Sequence, residues 1–300
     1  MLKKILFLSL SLFILVSFSQ AAGAQDFSKV EIKTVPVRNS VYMLVGRGGN
    51  IGVSVGQDGV LMIDDQFAPL IPKIEAAIKK ISSKPVKFVV NTHWHPDHTG
   101  GNEPLGKSGA VIVAQENVRK RLSTEQFSSF LKRKVPPSPQ GAWPVITFTQ
   151  DMVFHLNGEE IKIFHVDPAH TDGDAIIYFK KANVLHMGDV YMAGRYPFID
   201  LNSGGSLKGV IAAVDRVLRE IPADAKIIPG HGPLSNMEEL KEYRKMLMTV
   251  RDRIRKLIKE GKTLPELIAA KPTADLDAKW GKGFLKPDGF VQIVYEGLKK

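Results

Sequence analysis

The chain has 300 residues, 44% hydrophobic and 24% charged, with a formal net charge of +10. This is an ordinary globular composition, enough for one large core or two fused halves. There is no cysteine, which excludes disulfides, thiolate zinc sites and cysteine nucleophiles, so any zinc must be held by nitrogen and oxygen.

Met1-Leu2-Lys3-Lys4 is a basic start, Ile5 to Phe18 is an apolar run broken only by serines, and Ala22-Gly23-Ala24 is a small-residue cleavage pattern before Gln25. Residues 1–24 therefore read as a secretory signal peptide. The apolar run falls short of the roughly 20 residues that span a bilayer, and no cysteine is present for lipid attachment. No stable membrane anchor is expected after cleavage. The mature chain, 25–300, is expected as a single domain in a periplasm or outside the cell; loss of Lys3 and Lys4 lowers its formal charge by two, from +10 to +8.

From Lys29 to Asp65 the pattern is strands. Glu31–Val37, Val41–Val45, Ile51–Val55 and Val60–Ile63 are rich in β-branched residues and separated by Gly-rich turns such as Arg47-Gly48-Gly49-Asn50, which predicts an antiparallel meander. An acid at the end of such a strand can cap the next element or brace a neighbouring loop; capping is the expectation for Asp65. Ile71, Ile74, Ala77, Ile78 and Ile81 recur at helical spacing, so a helix over 70–81 followed by a buried strand at Lys87–Val90 makes a βαβ unit.

That strand delivers Asn91-Thr92-His93-Trp94-His95-Pro96-Asp97-His98-Thr99-Gly100-Gly101-Asn102, with three histidines and an aspartate inside six residues. Such a density at a strand end is what a metal site requires. If the strand stays extended, His93 and His95 point to one side and hold one cation. Pro96 disfavours helix at His95 and turns the chain, so Asp97 and His98 approach from another direction and hold a second.

Ala110–Ala114 reads as a short strand. The segment from Ser123 to Trp143, interrupted by Val135-Pro136-Pro137-Ser138-Pro139, is expected to run over the surface rather than enter the core. Further strands at Val145–Phe148, Met152–Leu156, Glu160–Val166, Ala175–Phe179, Asn183–Met187 and Ala225–Ile228 come next, with a helix at Leu207–Ile221. Four apolar strands thus each finish on a potential ligand: the His93 cluster, His170, Asp189 and His231. In layered α/β folds, sites gather where loops leave the carboxyl ends of strands. Five of the eight histidines lie in these loops; His155, His165 and His186 are expected to be packed or surface residues.

Trp94, Tyr191, Tyr196 and Phe198 are candidates for a pocket wall beside the metals, although core packing is the expectation for Phe198. In the C-terminal segment 236–300, Leu240, Tyr243, Leu247, Val250, Ile254 and Leu257 fall on one helical stripe with basic residues elsewhere. This predicts a docked helix rather than a membrane or nucleic-acid surface. Thr263-Leu264-Pro265-Glu266 opens a further short helix with a capping box.

His93-x-His95-x-Asp97-His98, followed in order by His170, Asp189 and His231, resembles the metallo-β-lactamase superfamily over about Val41 to His231. The resemblance implies an α/β fold, a four-layer αββα sandwich with two metals at one edge. It also implies that His93, His95 and His170 hold one metal, that Asp97, His98 and His231 hold the other, that Asp189 bridges them, and that Asp64 braces the first loop. Nitrogen and carboxylate donors make two Zn2+ ions the default, with iron or manganese as alternatives. The expected nucleophile is a hydroxide between the cations, oriented by Asp97 as the catalytic group.

The implied substrate is a small carbonyl compound: an ester, lactone, thioester or β-lactam. In class B β-lactamases the position of Asp189 is often cysteine, followed by a lysine that binds the drug's carboxylate. Here Asp189 is followed by Val190-Tyr191-Met192-Ala193-Gly194-Arg195, which resembles the hydrolase branches with a bridging aspartate. Arg195 is either a carboxylate clamp in place of that lysine or a solvated loop cation; Trp94 and Tyr191 join it as expected substrate contacts. A nuclease is the lesser alternative, and no nucleic-acid partner is expected.

Overall fold

The computed structural model describes residues 26–128 and 133–299, so the expected signal peptide lies outside the described residues. The chain begins with the predicted meander, β1 (Lys33–Arg38), β2 (Val41–Val45), β3 (Ile51–Gly56) and β4 (Gly59–Ile63), all paired antiparallel. Helix α1 (Ile71–Lys79) then crosses over to β5 (Val86–Asn91), which runs parallel to β4. The short helices α2 (Pro96–Thr99) and α3 (Asn102–Lys107) lead to strand β6 (Val111–Gln115). After α4 (Glu116–Leu122) and a separate hairpin of β7 (Gln126–Ser128) and β8 (Arg133–Val135), strand β9 (Ile146–Phe148) extends the parallel edge, completing seven strands in the order β1-β2-β3-β4-β5-β6-β9.

The second sheet has six strands in chain order: β10 (Asp151–Leu156), β11 (Glu159–His165), β12 (Ala175–Phe179), β13 (Val184–His186), β14 (Lys226–Ile228) and β15 (Ser235–Asn236). Its β13–β14 pair is parallel, because α5 (Leu207–Glu220) lies between them as a crossover.

Side-chain alternation sorts these strands into layers. In β4, Leu61 and Ile63 join a core that also contains Ile161, Ile163, Ile177 and Ile228 of the other sheet, whereas Val60 and Met62 face α1. In β13 and β14, Val184 and Ile228 face the first sheet, and Leu185 and Ile227 face α5 and α6 (Met237–Lys259). Strands apolar on both faces must be covered on both sides. The order is therefore helices, sheet, sheet, helices, with the central core between the sheets. Each fully buried Leu or Ile contributes on the order of 1.5–3 kcal/mol relative to exposure.

Helix α1 buries Ile71, Ile74, Ala77 and Ile78, and α6 buries Leu240, Tyr243, Leu247, Val250 and Ile254, following the predicted stripes. Thr263 N–H donates to Glu266 Oε2 at 2.8 Å, closing the expected capping box. The segment from Ser123 to Trp143 runs over the surface as expected, its described residues exposed or half-buried except Ala142. It pairs Gln126–Ser128 with Arg133–Val135 as a small hairpin, and its far end is anchored: Ala142 is buried and accepts from Asn102 at 2.9 Å. Among the described residues no helix is long and apolar enough to cross a membrane.

Candidate metal centre

Strand β5 ends at Asn91, earlier than an extended path through His95 requires. His93 and His95 converge nonetheless, their rings 4.9 Å apart and nearly perpendicular. His95 keeps extended backbone (φ −64°, ψ 147°), and Pro96 then opens a single helical turn, Pro96–Thr99, that swings Asp97 and His98 round to the same space. His170 arrives from the loop between β11 and β12, Asp189 from the turn after β13, and His231 from the loop after β14.

The carboxyl ends of the parallel strands in both sheets thus meet at one edge of the sandwich. His93, His95, His170 and Asp189 form one group of potential ligand atoms, and Asp97, His98 and His231 form a second, each within 4.8 Å. Asp189 lies between them. Its Oδ2 is 3.6 Å from His170 Nε2 and 4.0 Å from His93 Nε2, and its Oδ1 is 3.3 Å from His98 Nε2 and 3.4 Å from His231 Nε2.

Partners outside the cluster decide which nitrogen each ring presents. Asp64 Oδ2 lies 2.8 Å from His98 Nδ1, the Phe198 carbonyl 2.7 Å from His170 Nδ1, and Thr92 Oγ1 3.0 Å from His93 Nδ1. Asp200 Oδ2 lies 3.0 Å from His95 Nε2. Three rings therefore donate through Nδ1 and offer Nε2, while His95 donates through Nε2 and offers Nδ1. Such outer partners orient metal-binding histidines and raise their basicity.

Whether this set fits a cation is tested by its orphaned atoms. His93 Nε2 and Asp189 Oδ1 are buried and make no hydrogen bond, which is costly unless something else satisfies them. Imidazole nitrogens also crowd together, His95 Nδ1 and His170 Nε2 at 2.9 Å and His98 and His231 Nε2 at 3.4 Å, beside the carboxylates of Asp189 and Asp97. A divalent cation in each group answers both features.

The electrostatics divide the centre. Burial holds His93 well below the usual imidazole range and brings His170 down to about 4 despite Asp189 nearby. On the other side, burial opposes charge on His98 and His231, but the carboxylates outweigh it. Asp189, Asp97 and Asp64 keep His98 well above its ordinary value, and Asp189 with Asp97 lifts His231 to about 9. Burial likewise opposes charge on Asp97, and His98 and His231 reverse it, bringing the carboxyl down to about 2.

The loops are braced from beneath. Asp64 also accepts from Thr92 N–H at 2.7 Å, and Asp65 accepts from Gly101 N–H at 2.7 Å. Asp65 therefore steadies the metal-binding loop and caps nothing, contrary to the expectation for it; the next helical turn is entered at Phe67. Asn50 Nδ2 donates to the carbonyls of Pro229 and Gly232, both at 2.9 Å, clasping the loop that carries His231. Close approach forbids a side chain at Gly49, where an added Cβ would sit 2.1 Å from the His98 ring. His186 is buried and links Asn50 O to Gly188 N–H, while His155 is exposed and His165 half-buried, all three outside the cluster.

A cavity of about 910 Å3 opens onto His95, Asp97, Asp189 and His231. Arg195 lines it, as do Phe198, Tyr196 and Met192. Two expected wall residues do not. Tyr191 is turned into the helical layer, its hydroxyl 2.7 Å from Ser235 Oγ and its ring against Tyr243. Trp94 is buried behind His95 and donates to Ser203 Oγ at 3.1 Å, making it a strut of the loop that holds Asp200. Phe198, expected in the core, is instead half-exposed against His95 and His170, because its carbonyl is committed to His170.

Asp200, Asn50, Thr92 and Asp65 are the positioning residues that sequence reasoning passed over or misassigned. Nothing local marks Asp200 as the partner of His95, 105 positions away.

Residues 44–246, more than half of the chain, match the metallo-beta-lactamase superfamily. The chain is 26% identical over 253 residues to a linear primary-alkylsulfatase of a Pseudomonas species, covering 70% of this chain and 47% of that protein. It is 27% identical over 199 residues to a hydroxyacylglutathione hydrolase of Pelagibacter ubique, covering 64% of this chain and 66% of the relative. Its fold superposes on a metallo-beta-lactamase from Pontibacter korlensis with a TM-score of 0.60 at 20% identity, covering 73% of this chain and 99% of that one. The chain belongs to the metallo-beta-lactamase superfamily and has an αββα fold. It spans about half the length of the alkylsulfatase it matches.

Proposed function

We propose that the protein is an exported hydrolase that uses two divalent metal ions, zinc by the chemistry of its donors, to cleave a small carbonyl compound such as an ester, lactone, thioester or β-lactam. The observation that carries this reading is Asp189, whose two oxygens face two separate groups of imidazole nitrogens, one oxygen buried with no hydrogen bond. His93, His95 and His170 would hold one ion, Asp97, His98 and His231 the other, with Asp189 shared. Metal ions bound by these residues would supply Lewis acidity and would lower the pKa of a water there to roughly 7.

The chain's own groups do the rest. Asp97 is ionised, partly exposed and on the cavity floor, where its carboxylate can orient the water and take up a proton. Asp64 and Asp200 keep His98 and His95 aimed. The buried walls around His93 and His170 limit water to the open side.

A β-lactamase is the second reading, favoured by Arg195 on the cavity wall, where it can meet a substrate carboxylate. The alkylsulfatase relative adds sulfate esters to the substrates worth assaying.

The test is hydrolysis of a chromogenic cephalosporin, an aryl ester, a thioester and an alkyl sulfate by the zinc-loaded mature protein, with and without chelator. Turnover of at least one, lost on chelation and in His95→Ala and His231→Ala proteins that remain folded, is expected. Full activity in either variant at unchanged metal content would contradict the reading.

A further inference from the structure

Three arginines from separate parts of the chain converge on the cavity above the metal centre: Arg47 in the turn after β2, Arg133 at the start of the small hairpin's second strand, and Arg195 after Asp189. None has an acidic partner among the described residues, whereas most arginines elsewhere pair with acids, as Arg121 does with Asp172 and Arg253 with Asp275. Two of the three are held in place by backbone. The turn carrying Arg47 is tied to the Asp97 loop by Gly49 N–H donating to Asp97 O at 3.0 Å. The stem of Arg195 packs so closely on Gly283 that an added Cβ there would sit 2.8 Å away.

The same cavity has apolar walls, formed by Phe67, Phe198, Met192 and Leu285. The arginines stand on its more exposed side and the ligand residues at its buried floor. A guanidinium without a partner is an ordinary solvated group; three around one apolar cavity of about 910 Å3 are a receptor for an anion.

We infer that the substrate is an anionic amphiphile: its negative group is held by Arg47, Arg133 and Arg195, its apolar body lies against Phe67, Phe198 and Leu285, and the bond to be cleaved lies elsewhere in the molecule, at the cavity floor. This rests on the proposed hydrolase for the bond cleaved, but the recognition it describes is measurable without turnover. The anion is separate from the reacting group, since the arginines line the open side and the reacting group must reach Asp97 and Asp189 below.

The first experiment is calorimetric titration of the metal-loaded protein with 1-decanesulfonate, a poor metal ligand, and with 1-decanol. The sulfonate is expected to bind at least tenfold more tightly. Replacing Arg47 and Arg195 together by Gln should bring the two within about threefold, which is roughly 0.7 kcal/mol, and Arg47→Lys with Arg195→Lys should retain part of the preference. Equal binding of the two probes by the native protein, or a preference that survives the double Gln variant, overturns the inference.

The second experiment compares mono-4-nitrophenyl adipate with 4-nitrophenyl hexanoate, esters of equal acyl length with and without a remote charge. A kcat/KM ratio of ten or more in favour of the adipate, collapsing through KM in the double Gln variant, is expected. Hydrolysis of both esters at equal rates rejects the anionic class and leaves the hydrolase standing. Tight sulfonate binding with neither ester cleaved rejects the ester-hydrolase reading and leaves the recognition standing.

Discussion

Asp64 Oδ2 and His98 Nδ1 lie 2.8 Å apart, and neither residue has any surface open to solvent. The contact joins the end of β4 to the helical turn after β5, and it settles which nitrogen of His98 faces Asp189. Asp64 also accepts from the Thr92 hydroxyl at 2.8 Å, so one carboxylate steadies both ends of the metal-binding loop.

Asp64→Asn tests that bond. Asp64 has φ +62°, which asparagine tolerates, so the backbone is not the variable. Loss of the charged acceptor is expected to lower metal affinity and activity about 10–100-fold, read by competition with a chromophoric chelator. Unchanged affinity would mean that Asp64 braces the loop without tuning His98.

The two groups of ligands should respond differently to pH. Against the effect of burial, Asp189 and Asp97 raise both His98 and His231 in the metal-free protein, His231 to about 9, whereas burial lowers His170 to about 4. A metal binds the neutral ring, and a raised pKa means that the proton competes up to higher pH. Lowering the pH from roughly 8 to roughly 6 should therefore empty the Asp97, His98 and His231 group first. Metal content after equilibrium dialysis across that range checks this; simultaneous loss from both groups would contradict it.

Asn50→Ala leaves the carbonyls of Pro229 and Gly232 without their side-chain donor. Stability should fall by about 1–3 kcal/mol, and the ion beside His231 should be held less firmly than the one beside His93. Denaturant titration reads the first effect and stepwise metal release the second.

Tyr191→Phe separates the core from the cavity. It removes a buried hydroxyl paired with Ser235 and should cost about 1 kcal/mol, with kcat and KM within about twofold of the native values. A KM shift of tenfold would restore Tyr191 as a substrate contact.

Much of the centre is legible in the chain itself. His93, His95, Asp97 and His98 are neighbours in sequence, so a strand end and one proline-started turn suffice to gather them. His170, Asp189 and His231 are readable because each comes after an apolar strand, and parallel strands in one sandwich end at one edge. Less legible is the segment from Ser123 to Trp143, whose polar surface hides the anchoring of Ala142 by Asn102.

The amino-acid order alone determined the strands, the helix faces and the residues able to bind metal, because within regular elements a period of two or 3.6 dictates which way each side chain points. Tertiary structure decided what lies in irregular turns, where no period operates and distant partners select the backbone. It turned Tyr191 inward and Phe198 toward the cavity, and brought Asp200 to His95. It also set Arg47, Arg133 and Arg195 around one opening. These arrangements depend on contacts between segments far apart in the chain, and they exist only once both sheets have packed.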